Sequence, residues 1–167
     1  ASENSHVEVV RALLDQGADI DKARDDGATP LYIASQEGHV EVVRALMEGE
    51  AGIDKAEDGG ATPLYIASEN GHVEVVRMLV EQGADINKTR DDGVTPLFMA
   101  SQKGHVEVVR MLVEQGADIN KAKNSGATSL YIASQNGHVE VVRALVEGGA
   151  DIDKAMDGGY TPLIIAS

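Results

Sequence analysis

The chain has 167 residues with 28 acidic against 14 basic side chains, a formal net charge of −14, no cysteine and five aromatics, four Tyr and one Phe. Such a charge argues against nucleic acid, because phosphate binding needs a basic surface, and so few aromatics leave little for base stacking, so nucleic acid is not an expected partner. Without cysteine there is no disulfide framework and no thiolate metal site, which suits a reducing, cytoplasmic compartment. No apolar run approaches the ~20 residues of a membrane span, the N-terminus has no signal-peptide pattern, and the acidic surface disfavours anionic membranes.

A 33-residue period organises everything else. Thr-Pro-Leu recurs at Thr29, Thr62, Thr95 and Thr161, with Thr128-Ser129-Leu130 in the remaining slot, and histidine keeps the same beat at His6, His39, His72, His105 and His138. A period of this length marks a stacked-repeat architecture in which each unit touches only its neighbours. The units read as a partial repeat 1–18, complete repeats 19–51, 52–84, 85–117 and 118–150, and a partial repeat 151–167, forming one array.

In chain order, Ala1-Ser2-Glu3-Asn4 aligns with Ala67-Ser68-Glu69-Asn70, the end of a first helix, and His6 to Leu14 supplies a second helix. In the first complete unit, Asp21 to Ala28 is polar and turn-rich. Thr29 then reads as a helix N-cap and Pro30 as the first helical residue, where a missing N–H costs nothing. Leu31 to Glu37 gives about two turns, and Gly38 supplies a left-handed stop. A second helix runs from about His39 to Glu48. Its polar residues Glu41, Arg44 and Glu48 form one narrow stripe, so the remaining circumference is sandwiched between neighbours. Glu41 and Arg44 are spaced for a surface ion pair.

Later units repeat this plan with two departures. After the first complete unit's second helix, Glu50 stands where Gly17, Gly83, Gly116 and Gly149 occur, so a non-glycine residue is expected at positive φ or in a remodelled loop. Ser129 replaces proline at the start of a first helix, at a site whose φ should already suit proline. At the two ends, no polar capping unit is present. The half-helix at Leu163-Ile164-Ile165 lacks the second helix that His6 to Leu14 of another copy would supply. An excerpt of a longer array and head-to-tail self-association through the uncapped ends are therefore expected.

The recurring run Asp-Gly-Ala-Thr-Pro-Leu-Tyr-Ile-Ala-Ser-x-x-Gly-His-Val-Glu-Val-Val-Arg-x-Leu-x-x-x-Gly-Ala-Asp-Ile resembles the ankyrin repeat, over the whole chain. The resemblance implies an all-α solenoid of stacked helix–loop–helix repeats with β-turn or hairpin fingers. The chain departs from the family pattern in three columns. The usual His after Thr-Pro-Leu is Tyr32, Tyr65, Phe98, Tyr131 or Ile164, so its hydrogen bond to the Thr is absent or replaced. Ser35, Ser68, Ser101, Ser134 and Ser167 stand for the second Ala of the usual Ala-Ala pair. Arg24, Glu57, Arg90, Lys123 and Met156 stand for the usual finger Asp.

Chemistry copied into every unit reads as structure. The five histidines invite a metal, but equivalent residues of stacked helices lie roughly 8–10 Å apart against Zn–N bonds of ~2 Å, so a local hydrogen-bonding role is expected and no metal. Ser35 and His39 with their copies are no catalytic pair, because a helix-breaking Gly38 separates them and no orienting acid is implied. No catalytic residue and no cofactor is expected. The acidic tips at Asp25-Asp26, Asp58, Asp91-Asp92 and Asp157 lack the alternation of a calcium loop and read as turn residues that also steer a basic partner.

The resemblance places recognition on the finger tips and the exposed side of the first helix, along the concave face. The variable columns there contain Arg24, Asp26, Glu57, Arg90, Asp92, Lys123, Met156 and Tyr160 on the fingers, with Gln36, Glu69, Gln102 and Gln135 on the helices. Met156 and Tyr160 stand out as apolar in otherwise charged or small columns and are contact-anchor candidates, unless a following unit covers them. The function expected is a protein–protein interaction scaffold. A structural spacer array, or a regulatory segment of a larger protein, is the alternative, and the similarity of the units also fits an engineered array.

Overall fold

A computed structural model describes residues 3–167 of the chain. Among the described residues ten helices occur in order: α1 (Glu3–Asp15), α2 (Pro30–Glu37), α3 (Val40–Glu48), α4 (Pro63–Asn70), α5 (Val73–Glu81), α6 (Pro96–Lys103), α7 (Val106–Glu114), α8 (Ser129–Gln135), α9 (Val139–Glu147) and α10 (Pro162–Ala166). They form two layers. The short first helices α2, α4, α6, α8 and α10 pack in succession, and so do the second helices α1, α3, α5, α7 and α9. The long loops between a second helix and the next first helix carry the fingers, which are turns: no strand occurs among the described residues.

Local chemistry starts and stops the first helices. Thr29, Thr62, Thr95, Thr128 and Thr161 sit in extended conformation, and each side-chain oxygen accepts the N–H three residues on, at 3.1–3.3 Å. The donor is a backbone N–H, so this cap forms whether Tyr, Phe or Ile follows Thr-Pro-Leu. Gly38 ends α2 at φ 71. The second helices α3, α5, α7 and α9 begin one residue after the histidine, whose side chain makes no cap bond.

Helix α1 corrects one expectation. The break expected after Asn4 is absent, and Glu3 to Asp15 is a single helix. Ser5 occupies the column of the glycines that break the later units, and without a residue that favours the left-handed stop the helix continues. Ala1 and Ser2, also assigned to a first helix, lie outside the described residues.

The main core lies between the layers. Leu31, Leu64, Leu97 and Leu130 of the first helices meet Val43, Val76 and Val109 and Leu46, Leu79, Leu112 and Leu145 of the second, all at most 2 % exposed. One apolar cluster thus runs from unit to unit, and truncating a central leucine such as Leu79 to Ala would cost about 2–5 kcal/mol. The outward stripe of the second helices is exposed as the spacing requires. Arg44 pairs with Glu41 at 3.4 Å, Arg77 with Glu74 at 3.4 Å and Arg143 with Glu140 at 3.1 Å.

Candidate functional site: the finger and first-helix face

Each finger is a tight turn stitched to the next. In the first, Gly27 N–H donates to Arg24 O at 3.0 Å and Arg24 N–H to Ala28 O at 2.9 Å. Asp58 N–H then donates to Asp26 O at 3.0 Å, Asp91 N–H to Gly59 O at 3.3 Å, Asn124 N–H to Asp92 O at 3.1 Å and Asp157 N–H to Ser125 O at 3.3 Å. The fingers are therefore one continuous backbone-bonded edge rather than five independent loops.

The variable columns turn out to be coupled. Asp26 Oδ1 accepts Ala28 N–H at 3.2 Å while its carboxylate pairs with the Arg24 guanidinium. That hydrogen bond to Arg24 holds the Asp26 carboxyl down to about 2. The third finger repeats the clasp, with Arg90 Nη2 to Asp92 Oδ2 at 2.8 Å and Val94 N–H to Asp92 Oδ1 at 3.2 Å. In the second finger Gly59 replaces the aspartate, and Glu57 takes over: Gly59 N–H donates to Glu57 Oε2 at 2.8 Å and Ala61 N–H to Oε1 at 3.0 Å. Arg-x-Asp and Glu-x-Gly are two solutions to the same problem of satisfying the turn's N–H groups.

Behind the fingers lies a second apolar cluster, built from Tyr65, Phe98, Tyr131, Met99 and Ile132 with small finger residues. The finger column covers it. The Arg90 guanidinium carbon stands 5.8 Å from the Tyr65 ring centroid and Lys123 Nζ 5.4 Å from that of Phe98. Met156 packs against the same cluster, so it already has an intramolecular place, whereas Tyr160 remains 51 % exposed. The Tyr65 hydroxyl is buried without a hydrogen-bond partner, and burial pushes it up to about 12 against the opposing pull of Arg90.

On the first helices, Gln36, Glu69 and Gln102 contribute their backbone carbonyls to the stack. Gln36 O accepts from His72 Nε2 at 2.9 Å and from Asn70 Nδ2 at 3.0 Å. Gln102 O accepts from His138 and Asn136 in the same way, and Glu69 O from His105 at 2.9 Å. A carbonyl only accepts, so Nε2 carries the proton in each ring. This corrects the local role expected for histidine: the bond joins neighbouring units, 36 residues apart. The ring also needs a bare backbone opposite, since a Cβ on Gly38 would lie 2.6 Å from His72 Nδ1. The His6 and His39 rings stack with centroids 6.1 Å apart, closer than the helix-to-helix spacing suggests. Glu69 Oε1 lies 3.5 Å from Lys103 Nζ, and Gln135 is exposed.

Sequence reasoning also missed a second inter-unit ladder. The side-chain oxygens of Asp21, Asp54, Asn87 and Asn120 accept the N–H of Gly52, Asp85, Asp118 and Asp151 at 2.8–3.1 Å. The alternation of Asp and Asn in one column was the available signal, because both offer an acceptor oxygen.

Stacked helix pairs, a Thr-capped first helix, a glycine stop and a bonded finger edge recur in each complete unit, and the family model described as ankyrin repeats (three copies) matches residues 1–90, 43–123, 84–156 and 121–167. The chain belongs to the ankyrin-repeat family. No curated protein sequence matches the chain. Ankyrin repeats are in general protein–protein interaction modules and typically non-catalytic scaffolds. Among the described residues of this ankyrin array, no cluster of three or more His, Asp or Glu is arranged to hold a metal, and no helix is long and apolar enough to cross a membrane.

Proposed function

We propose that this single array is a non-catalytic scaffold that binds a basic protein along its fingers and the exposed side of its first helices. The observation that carries the reading is the finger edge: five turns locked together through their backbones, with Asp25, Asp58, Asp91 and Asp157 exposed at the tips. A preorganised edge loses little freedom on binding, and a row of carboxylates steers a cationic partner. Within the variable columns, Arg24, Asp26, Arg90, Asp92 and Glu57 clasp the turns that hold this edge in place, while Tyr160 offers an exposed aromatic anchor. The test is a pull-down followed by stopped-flow association with the captured protein. Asp25, Asp58, Asp91 and Asp157 are changed together to Asn, which leaves the Asp26 and Asp92 clasps intact. Association should slow roughly tenfold at low salt and lose most of its salt dependence. A parent association rate that ignores salt refutes the steering.

Self-association of the 167-residue polypeptide is a second reading. An apolar cleft of about 680 Å³ lies between α1 and the α2–α3 pair, lined by Val10, Leu13, Ile33 and Val42, while α10 exposes Leu163 and Ile164. Sedimentation velocity across a hundredfold concentration range decides it: a constant monomer value removes the reading.

A further inference from the structure

The loops that leave the second helices are built alike except one. After α1, α5, α7 and α9 the left-handed position is Gly17, Gly83, Gly116 or Gly149, with φ between 83° and 92°. After α3 it is Glu50 at φ 63, the one non-glycine residue at positive φ among the described residues. The loop is not remodelled to avoid this. Glu50 N–H still donates to Met47 O and Ala51 N–H to Leu46 O, both at 3.0 Å, as Gly83 and Ala84 do to Val80 and Leu79. A Cβ on Gly83 would meet nothing within 4 Å, so the cost of Glu50 is backbone strain alone.

Two further defects fall in this unit or at its edge. Asp19, Asp85, Asp118 and Asp151 each accept the N–H two residues on, at 3.0–3.1 Å. Gly52 occupies this column in the strained loop and has no side chain to offer. Ser35 Oγ is buried without a partner, whereas Ser68, Ser101 and Ser134 donate to a carbonyl one turn back, at 2.7–2.8 Å. In a stack held by nearest-neighbour contacts, opening begins where intrinsic stability is least.

We infer that the stretch from Asp19 to Gly52, the first complete unit and the residue after it, is a separately opening segment of the array, which detaches together with α1 while residues 53–167 stay folded. Its finger, Arg24 to Ala28, then joins the binding edge through the Asp58–Asp26 backbone bond only in the closed state. A partner that spans the first and later fingers is thereby coupled to closing this joint.

Hydrogen exchange with mass spectrometry on the whole chain tests this. Amides of α2 and α3 should exchange roughly tenfold faster than those of α4 to α7, since the strain and the lost turn bond together shift the opening equilibrium by about that factor. The double variant Glu50→Gly with Gly52→Asp should remove the difference. The reverse change at the next joint, Gly83→Glu with Asp85→Gly, should extend fast exchange through α4 and α5. Exchange that grades smoothly from the N-terminus and ignores the repairing variant would overturn the inference, because it would be ordinary end fraying. Should the reverse variant fail to fold, the repaired variant alone decides.

Discussion

Ser129→Pro should stabilise the array. Ser129 is the first residue of α8 and is 1 % exposed. Its N–H has no hydrogen-bond partner among the described residues. The residue before it, Thr128, has φ −96 and ψ 171, inside the extended region that proline demands of its predecessor, and matches Thr95 at φ −90 and ψ 164, which does precede a proline. The Thr128 cap to Tyr131 N–H at 3.2 Å does not involve Ser129. Proline therefore removes an unpaired donor at no hydrogen-bond cost and restricts the unfolded chain, which contributes about 0.4–1 kcal/mol. Removing a buried unpaired N–H adds up to about 1 kcal/mol. Together these give roughly 0.5–2 kcal/mol, and about 2–4 °C in melting temperature for each kcal/mol in a chain of this size. Urea titration followed by circular dichroism measures it as a shift in midpoint at unchanged slope. The mirror variant Pro96→Ser should lose a comparable amount. A less stable Ser129→Pro protein would refute the reasoning, because the α8 start would then differ from its four counterparts in backbone angle or hydrogen bonding.

Tyr65→Phe should hold its stability better in alkali. The folded phenol titrates near 12 and the unfolded one near 10, so wild-type stability is full below pH 10 and falls as pH rises toward 12. Chemical denaturation at pH 9 and 11.5 should show a smaller loss for the variant, and equal losses would count against a buried phenol. Ser35→Ala should gain about 1 kcal/mol more than Ser68→Ala, since only Ser35 carries an unpartnered buried hydroxyl; equal effects in paired denaturation curves would show that Ser35 finds a partner.

What could be read from the sequence followed the range of the interaction. Helix starts and stops are decided within four residues, so Thr29, Pro30 and Gly38 announce α2, and the conflict at Glu50 announces its own positive φ. The histidine column was legible as structural but not in its partner, because nothing in a single unit points 36 residues back to the carbonyl of Gln36. The continuity of α1 turned on one residue, Ser5, at a position where the pattern alone suggested a break. The second apolar cluster was hidden for a different reason. Its aromatics sit in the column where the family pattern has histidine, and their cover comes from finger residues one unit further on.

The same distance rule bears on how variation in a repeat is read. A column that varies looks free when taken alone. In the first three fingers the residue at 24, 57 or 90 and the residue two places later go together, one carboxylate serving the turn whichever of the two supplies it, whereas Lys123 with Ser125 and Met156 with Gly158 form the turn without one. Exchanging Glu57 for Arg without also exchanging Gly59 for Asp leaves the N–H groups of Gly59 and Ala61 without their acceptor, and the cost falls on the finger before any partner is met. Part of the diversity in these columns is therefore compensation inside the finger. Diversity that serves recognition has to be sought in what remains once the pairs are accounted for: the cation of Lys123, which has no carboxylate within ion-pair distance among the described residues, the exposed tips at Asp25, Asp58, Asp91 and Asp157, and the ring of Tyr160.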